Sequence, residues 1–381
     1  MKTFAVLAFA GCLLAAAARA QTVPEESKED AASWSDALRR SVSAESLESA
    51  LTSKQASFGA DPLVALARER GLDAPSWLKE RVRAQGRDAA LAALGDSLSA
   101  ASYSCPGLYC VSNSWSIGDA PTSVRRRLEA QSGRRVRGFI VAVPGVEIDA
   151  LPAEALAVYL ASELGLDIER MTLLIGHNDP GVCRPDKPGE EARFARDVSL
   201  ALDILERVAR KRGARLFIGG LMEADALTRY ADVIPQGASA SCRELWASTG
   251  RCKDLLQRRD EPARLEEARE RIVSDDETLR RLSAGRDWIF YSDAFTATSR
   301  SGIPDPSRNL SSVDCFHPSA AGQALLSDAA WNGGGGAPGI AGFFAFGDPV
   351  AAAPKRAYPE KSFEDGLARA LDAWRGEAER P

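Results

Sequence analysis

Only two histidines occur in the 381 residues, and that scarcity narrows the chemistry open to this chain. A serine hydroxyl becomes a nucleophile near neutral pH when an imidazole takes its proton, so a serine-based reaction here must use His177 or His317. His317 stands three residues after Asp314 in Asp314-Cys315-Phe316-His317-Pro318-Ser319, where a carboxylate of the same loop can fix the imidazole tautomer. His177 lies in Gly176-His177-Asn178-Asp179 and has only Asp179 at a comparable spacing. Ser97, in Gly95-Asp96-Ser97-Leu98, follows a short run of small apolar residues, which places it at the carboxyl end of a first strand, the edge where open α/β sheets bind ligands. These positions predict Ser97 as nucleophile, His317 as base and Asp314 as its orienter. The chain has no Gly-x-Ser-x-Gly, so the nucleophile elbow of the α/β-hydrolases is not on offer.

Acyl transfer builds negative charge on the former carbonyl oxygen, which calls for fixed donors aimed at that atom. Three are predicted. Gly145, in Val143-Pro144-Gly145 after a second strand, can bring its backbone N-H close to substrate, Asn178 after a third can offer its amide, and the N-H of Ser97 completes the set. Asp96 is expected to shape the nucleophile loop without taking part in the chemistry.

Elements to position these groups are legible in the apolar patterning. From about residue 88, short apolar runs alternate with helical stretches, the signature of β-α units around a parallel sheet. The strand candidates are 89–94, 138–143, 171–175, 214–218 and 288–291. The clearest helix covers 190–212, where Phe194, Val198, Ala201, Leu202, Leu205 and Val208 recur at helical spacing. The charge-dense run 258–281 carries an apolar stripe at Leu265, Ala268, Ile272, Leu279 and Leu282, and is predicted to be a solvated amphipathic helix. Residues 21–88 are polar and predicted to form a helical extension. Gly333–Gly336 is expected to be a flexible break that ends the domain at 332. The tail 333–381 holds one amphipathic helix with Phe363, Leu367, Leu371 and Trp374 on a face, docked on the enzyme itself or in transient contact with a membrane surface.

Composition bounds the setting. Hydrophobic residues make up 45% of the chain, ample for a large core. Residues 1–20 read as a secretory signal peptide cleaved after Ala20, with a lipoprotein attachment at Cys12 as the competing reading. Loss of Lys2 and Arg19 with that leader deepens the formal net charge of -5, which argues against nucleic acid as a partner. Cys105, Cys110, Cys183, Cys242, Cys252 and Cys315 remain, an even set in an exported chain that predicts disulfides. Sequence proximity favours Cys105 with Cys110 and Cys242 with Cys252, leaving Cys183 to pair with Cys315.

The blocks Gly95-Asp96-Ser97-Leu98, Val143-Pro144-Gly145, Gly176-His177-Asn178-Asp179 and Asp314-Cys315-Phe316-His317 together resemble those of the SGNH/GDSL hydrolases. The text around them, including Ser114-Trp115-Ser116-Ile117-Gly118 and residues 314–332, is similar to the phospholipase B-like branch. The resemblance spans roughly residues 88 to 332. It implies a flavodoxin-like three-layer α/β/α sandwich with a five-stranded parallel sheet, the triad Ser97, His317 and Asp314, and an oxyanion hole of Ser97, Gly145 and Asn178. The chain departs from the pattern after Asn178, in Asp179-Pro180-Gly181-Val182-Cys183, which bears on substrate detail. The expected function is a serine esterase of lipase or phospholipase B-like type acting on an ester or lipid substrate through an acyl-enzyme, with no cofactor, no metal and no obligate protein partner. The alternatives are a carbohydrate deacetylase or small-ester or thioester hydrolase on the same triad, and a catalytically inactive binding module of the same fold.

Overall fold

A computed structural model describes residues 26–52, 62–71, 76–85 and 88–346. The expected signal peptide, Cys12 and the tail helix of 362–374 lie outside the described residues.

Four helices open the described chain: α1 (Glu26–Ser41), α2 (Ala44–Thr52), α3 (Pro62–Glu69) and α4 (Ser76–Gln85). The α/β region follows as β1 (Ala89–Gly95), α5 (Val124–Ser132), β2 (Val136–Ile140), α6 (Leu151–Glu163), β3 (Ile168–Leu174), α7 (Glu190–Arg212), β4 (Arg215–Gly219), α8 (Pro262–Ser283), β5 (Ile289–Ser292) and α9 (Ala320–Asn332). The five strands form one parallel sheet in the order β2-β1-β3-β4-β5. Strand order reverses between β1 and β3, and the crevice at their carboxyl ends is where such sheets place ligands.

The alternation of β1 explains the layers. Ala90, Ala92 and Leu94 face one core with α6, α7 and the N-terminal helices, whereas Ala89, Leu91 and Ala93 face another with Val124 and Leu128 of α5 and Leu326 of α9. Trp34, Leu38, Leu47, Leu63 and Leu78 are buried in the first core, so the N-terminal helices cover the α6 and α7 layer as part of one apolar cluster. On the other face, Trp115 meets Phe295 and Phe217 edge to face at 5.2 and 6.0 Å, the favoured geometry for aromatic quadrupoles.

Beyond shifts of one to three residues at the ends of the other strands, among them the third, which runs Ile168–Leu174 instead of 171–175, the structure differs from the sequence expectations at four places. The second strand runs over Val136–Ile140 instead of 138–143, because Val141 and Ala142 both donate to the Ala93 carbonyl and the regular ladder stops there. The 258–281 helix is not simply a solvated one: Arg264, Arg271, Asp275 and Asp276 are all buried in α8. Gly333–Gly336 is no break, since Gly333–Gly334 and Ala337–Pro338 pair as a small hairpin and Phe344 beyond it is fully buried. Arg170 of β3 holds that segment by donating to the Phe344 and Ala345 carbonyls.

The fourth difference is the disulfide pairing. Cys105 joins Cys110 as expected, but Cys183 joins Cys252 and Cys242 joins Cys315. The two long-range bridges join cysteines 69 and 73 residues apart, with Cα atoms 4.4 and 5.1 Å from each other, a separation in sequence that proximity along the chain could not suggest. Three bridges fit an oxidising compartment outside the cytosol. Among the described residues no helix is long and apolar enough to cross a membrane.

Candidate active site

Ser97 sits in the turn after β1, and the turn is fixed from several sides. Gly95 has φ +125°, and a Cβ there would lie 2.0 Å from the Leu174 carbonyl oxygen, so only glycine allows β1 and β3 to approach at the switch point. Buried Asp96 accepts the Leu98 N-H at 2.9 Å, which gives it the loop-shaping position expected from sequence. Gln323 of α9, fully buried, accepts the Trp115 N-H at 2.9 Å and donates to the Leu98 carbonyl at 3.2 Å. Nothing in the sequence patterning distinguished Gln323, because a lone glutamine on a helix looks like a surface residue.

The loop before α9 brings the other two groups to Ser97. His317 Nε2 lies 2.8 Å from Ser97 Oγ, and its Nδ1 lies 2.6 Å from Asp314 Oδ2. Asp314 Oδ1 accepts the N-H groups of Phe316 and His317, both at 3.1 Å. Cys315 between them takes the left-handed conformation, φ 50°, which closes the loop tightly enough for the carboxylate to reach back three residues. The Cys242 bridge and the Trp246 indole, donating to the Cys315 carbonyl at 3.0 Å, tie the loop to the helix Cys242–Thr249. Burial raises the affinity of Asp314 for a proton, but the hydrogen bond and charge of His317 and the two backbone donors outweigh it and hold the carboxyl below its usual value.

Gly145 and Asn178 line the same cleft as Ser97 and His317. Gly145 has φ +81° with open space where a side chain would stand. The N-H groups of Ser97 and Gly145 have no hydrogen-bond acceptor among the described residues. Asn178 Nδ2 donates one hydrogen to the Val146 carbonyl at 3.0 Å, which fixes the carboxamide and leaves its second hydrogen free. The loop beyond it is anchored by buried Arg264, which donates to the Gly181 carbonyl at 2.9 Å and the Val182 carbonyl at 2.6 Å. Asn178→Ala is expected to lower kcat by about 10²- to 10³-fold with a much smaller change in KM. A change confined to KM in steady-state assays would make Asn178 a substrate-binding residue instead.

His177, the competing base, is occupied elsewhere. Its Nε2 accepts the Met222 N-H at 3.0 Å, so a neutral ring carries its proton on Nδ1, 3.7 Å from Asp96 Oδ2. It joins the Asn178 loop to the end of β4.

Beneath the site lies a carboxyl that sequence reading passed over. Glu154 of α6 is buried and accepts the Gly95 N-H at 2.7 Å. Burial, with the nearby charge of Asp96, pushes its carboxyl well above the usual range. A raised folded-state value means that the stabilising contribution is complete at low pH and is lost as pH rises through that value. Glu154→Gln keeps the acceptor and removes the titration, so its melting temperature should fall less than wild type between about pH 5 and 9. An equal fall in both proteins would show that Glu154 is already ionised in the fold.

No protein-family model and no curated protein matches the chain. Among solved structures it is similar to a lipase/acylhydrolase from Enterococcus faecalis (14% identity, 62% of this chain and 91% of that chain, TM-score 0.36). An α/β hydrolase enzyme from the metagenome of Lake Arreo, Spain, aligns at 16% identity over 63% and 92% of the two chains, TM-score 0.38. An acetyl xylan esterase from Geobacillus stearothermophilus aligns at 13% identity over 63% and 91%, TM-score 0.36. Similarity of this extent assigns neither family nor activity.

Proposed function

We propose that this chain is a serine carboxylic ester hydrolase, of the lipase or phospholipase B-like acyl hydrolase type, working through an acyl-enzyme. The single observation that carries the reading is the buried hydrogen-bonded chain from Ser97 Oγ through His317 to Asp314. Ser97 Oγ attacks the ester carbonyl carbon while its proton passes to His317 Nε2, and the oxyanion is held by Ser97, Gly145 and Asn178. The bond to the alkoxy oxygen then breaks, with His317 returning the proton to the departing alcohol. Water repeats the sequence on the acyl-enzyme and releases the acid.

An apolar pocket of about 70 Å³ beside Ser97 has room for a few methylenes beyond acetyl, which supports a short acyl ester over a carbohydrate acetate. Its walls include Met222, Leu227, Ile303, Leu310, Leu325 and Leu326. Each methylene buried there contributes about 0.8 kcal/mol, so kcat/KM should climb about fourfold per added carbon until the pocket is full. Fluorophosphonate labelling followed by a chain-length series of acyl esters tests both parts. Met222→Trp should move the optimum to shorter chains, and a wild-type optimum at acetyl would overturn the acyl-chain reading.

A further inference from the structure

Each of the three disulfides holds one side of a small cluster around the His317 ring. Cys105–Cys110 closes the loop that follows Tyr103, whose carbonyl accepts the Ser311 hydroxyl at 2.6 Å. Cys242–Cys315 grips the triad loop between Asp314 and His317, and Cys183–Cys252 fixes the residue after Arg251. Arg251 therefore stands on a segment stapled at both ends. Tyr103 at φ 57°, Cys252 at φ 42° and Cys315 at φ 50° are three of the five non-glycine residues with left-handed backbone among the described residues. Such conformations persist where the surroundings over-determine them, and they gather at functional sites.

The side chains form a stack. The Arg251 guanidinium lies over the Tyr103 ring, 4.8 Å from its centroid, and donates to the Tyr103 hydroxyl. The Tyr103 ring stands 5.2 Å from the His317 ring, and Phe316 meets the same imidazole edge to face at 4.9 Å. One donor in the stack is unused. Arg251 Nε is buried without a hydrogen-bond acceptor and stands 3.8 Å from Asp314 Oδ2, the oxygen that binds His317 Nδ1 at 2.6 Å. Of the other cations lining the cleft, Arg184 pairs with Glu147 and Lys253 is exposed, so Arg251 is the one in ion-pair contact with Asp314.

We propose that Arg251 is a positioning residue for the catalytic base. Tyr103 and Arg251 hold the His317–Asp314 pair, and the guanidinium charge beside Asp314 disfavours the protonated ring, keeping the imidazole free to accept the Ser97 proton. The inference rests on the reading of Ser97 as nucleophile and His317 as its base.

The test is the pH profile of kcat/KM for phenyl butanoate on the full chain, which reports ionisation of the free enzyme. In Arg251→Gln the rising limb should lie about half a pH unit above that of wild type, as expected for loss of a unit charge ~6 Å from the ring in well-screened surroundings. Arg251→Lys keeps the charge and should keep the limb near its wild-type position. Tyr103→Phe removes the hydroxyl that anchors the guanidinium, so it should move the limb the same way by less and add nothing in the Arg251→Gln background. A limb that moves equally in the Gln and Lys variants follows shape and not charge, and overturns the proposal. So does a rise in KM with the limb unmoved, which would make Arg251 a substrate-binding residue. Wild type that labels with a fluorophosphonate, beside an Arg251→Gln limb identical to its own, overturns the role of Arg251 and leaves the esterase standing. Wild type that neither labels nor cleaves any ester overturns the esterase and this inference with it.

Discussion

Ser97→Ala should abolish turnover and covalent labelling together, with kcat falling by on the order of 10⁶-fold. The hydroxyl removed is the atom 2.8 Å from His317 Nε2, and no other serine hydroxyl is hydrogen-bonded to either histidine among the described residues. The fold should survive, because the turn is held by Asp96, Gln323 and the close approach at Gly95, none of which uses the Ser97 side chain. Residual activity should come from the oxyanion donors and binding alone, so adding His317→Ala to Ser97→Ala should cost little more. Intact protein mass after fluorophosphonate treatment reads the result directly. Full labelling of the alanine variant would place the nucleophile elsewhere.

What was legible in the sequence was whatever depends on local order. The run Ala89–Gly95 announces a strand buried on both faces because every residue in it is small or apolar, and α7 was bounded correctly at Glu190 and Arg212 by its periodicity, with Gly213 as its C-cap. Asp314 and His317 could be paired on paper because three residues separate them. Ser97 could be added because one of only two imidazoles had to serve it. What was hidden depends on distant segments meeting. Arg264, within the run read as a solvated helix, and Arg170 are each buried against carbonyls of a loop far away in sequence, Gly181 and Val182 for one and Phe344 and Ala345 for the other. Burial of such a guanidinium is tolerable because those acceptors satisfy it, and nothing in its own helix or strand reveals them. Two of the three bridges differ from expectation for a related reason, while Cys105 pairs with Cys110 as expected. Proximity along the chain suggested Cys242 with Cys252, but the cysteines that meet stand 69 and 73 residues apart.

The two histidines give the second large effect and the sharper contrast. His317→Ala should lower kcat by about as much as Ser97→Ala, since the serine proton then has no acceptor. A base must be neutral to accept it, so wild-type activity should rise with pH through one imidazole ionisation and then level off. Asp314 adds no second limb above about pH 4, because its hydrogen bonds with His317 and two backbone N-H groups hold it ionised despite burial. The stabilisation tied to that depressed carboxyl is present above its unfolded value and is lost only as pH falls through the folded one. Asp314→Asn should leave the ring in place but lose control of its tautomer, at a cost of about 10⁴ in kcat. His177→Ala should behave differently. It removes an acceptor for the Met222 N-H and so about 0.5 to 1.5 kcal/mol of stability. The rate should drop through the neighbouring Asn178, while the pH limb stays where it was. Rate profiles of the two alanine variants decide the matter: a limb that disappears with His177 and persists without His317 would reverse the assignment of the base.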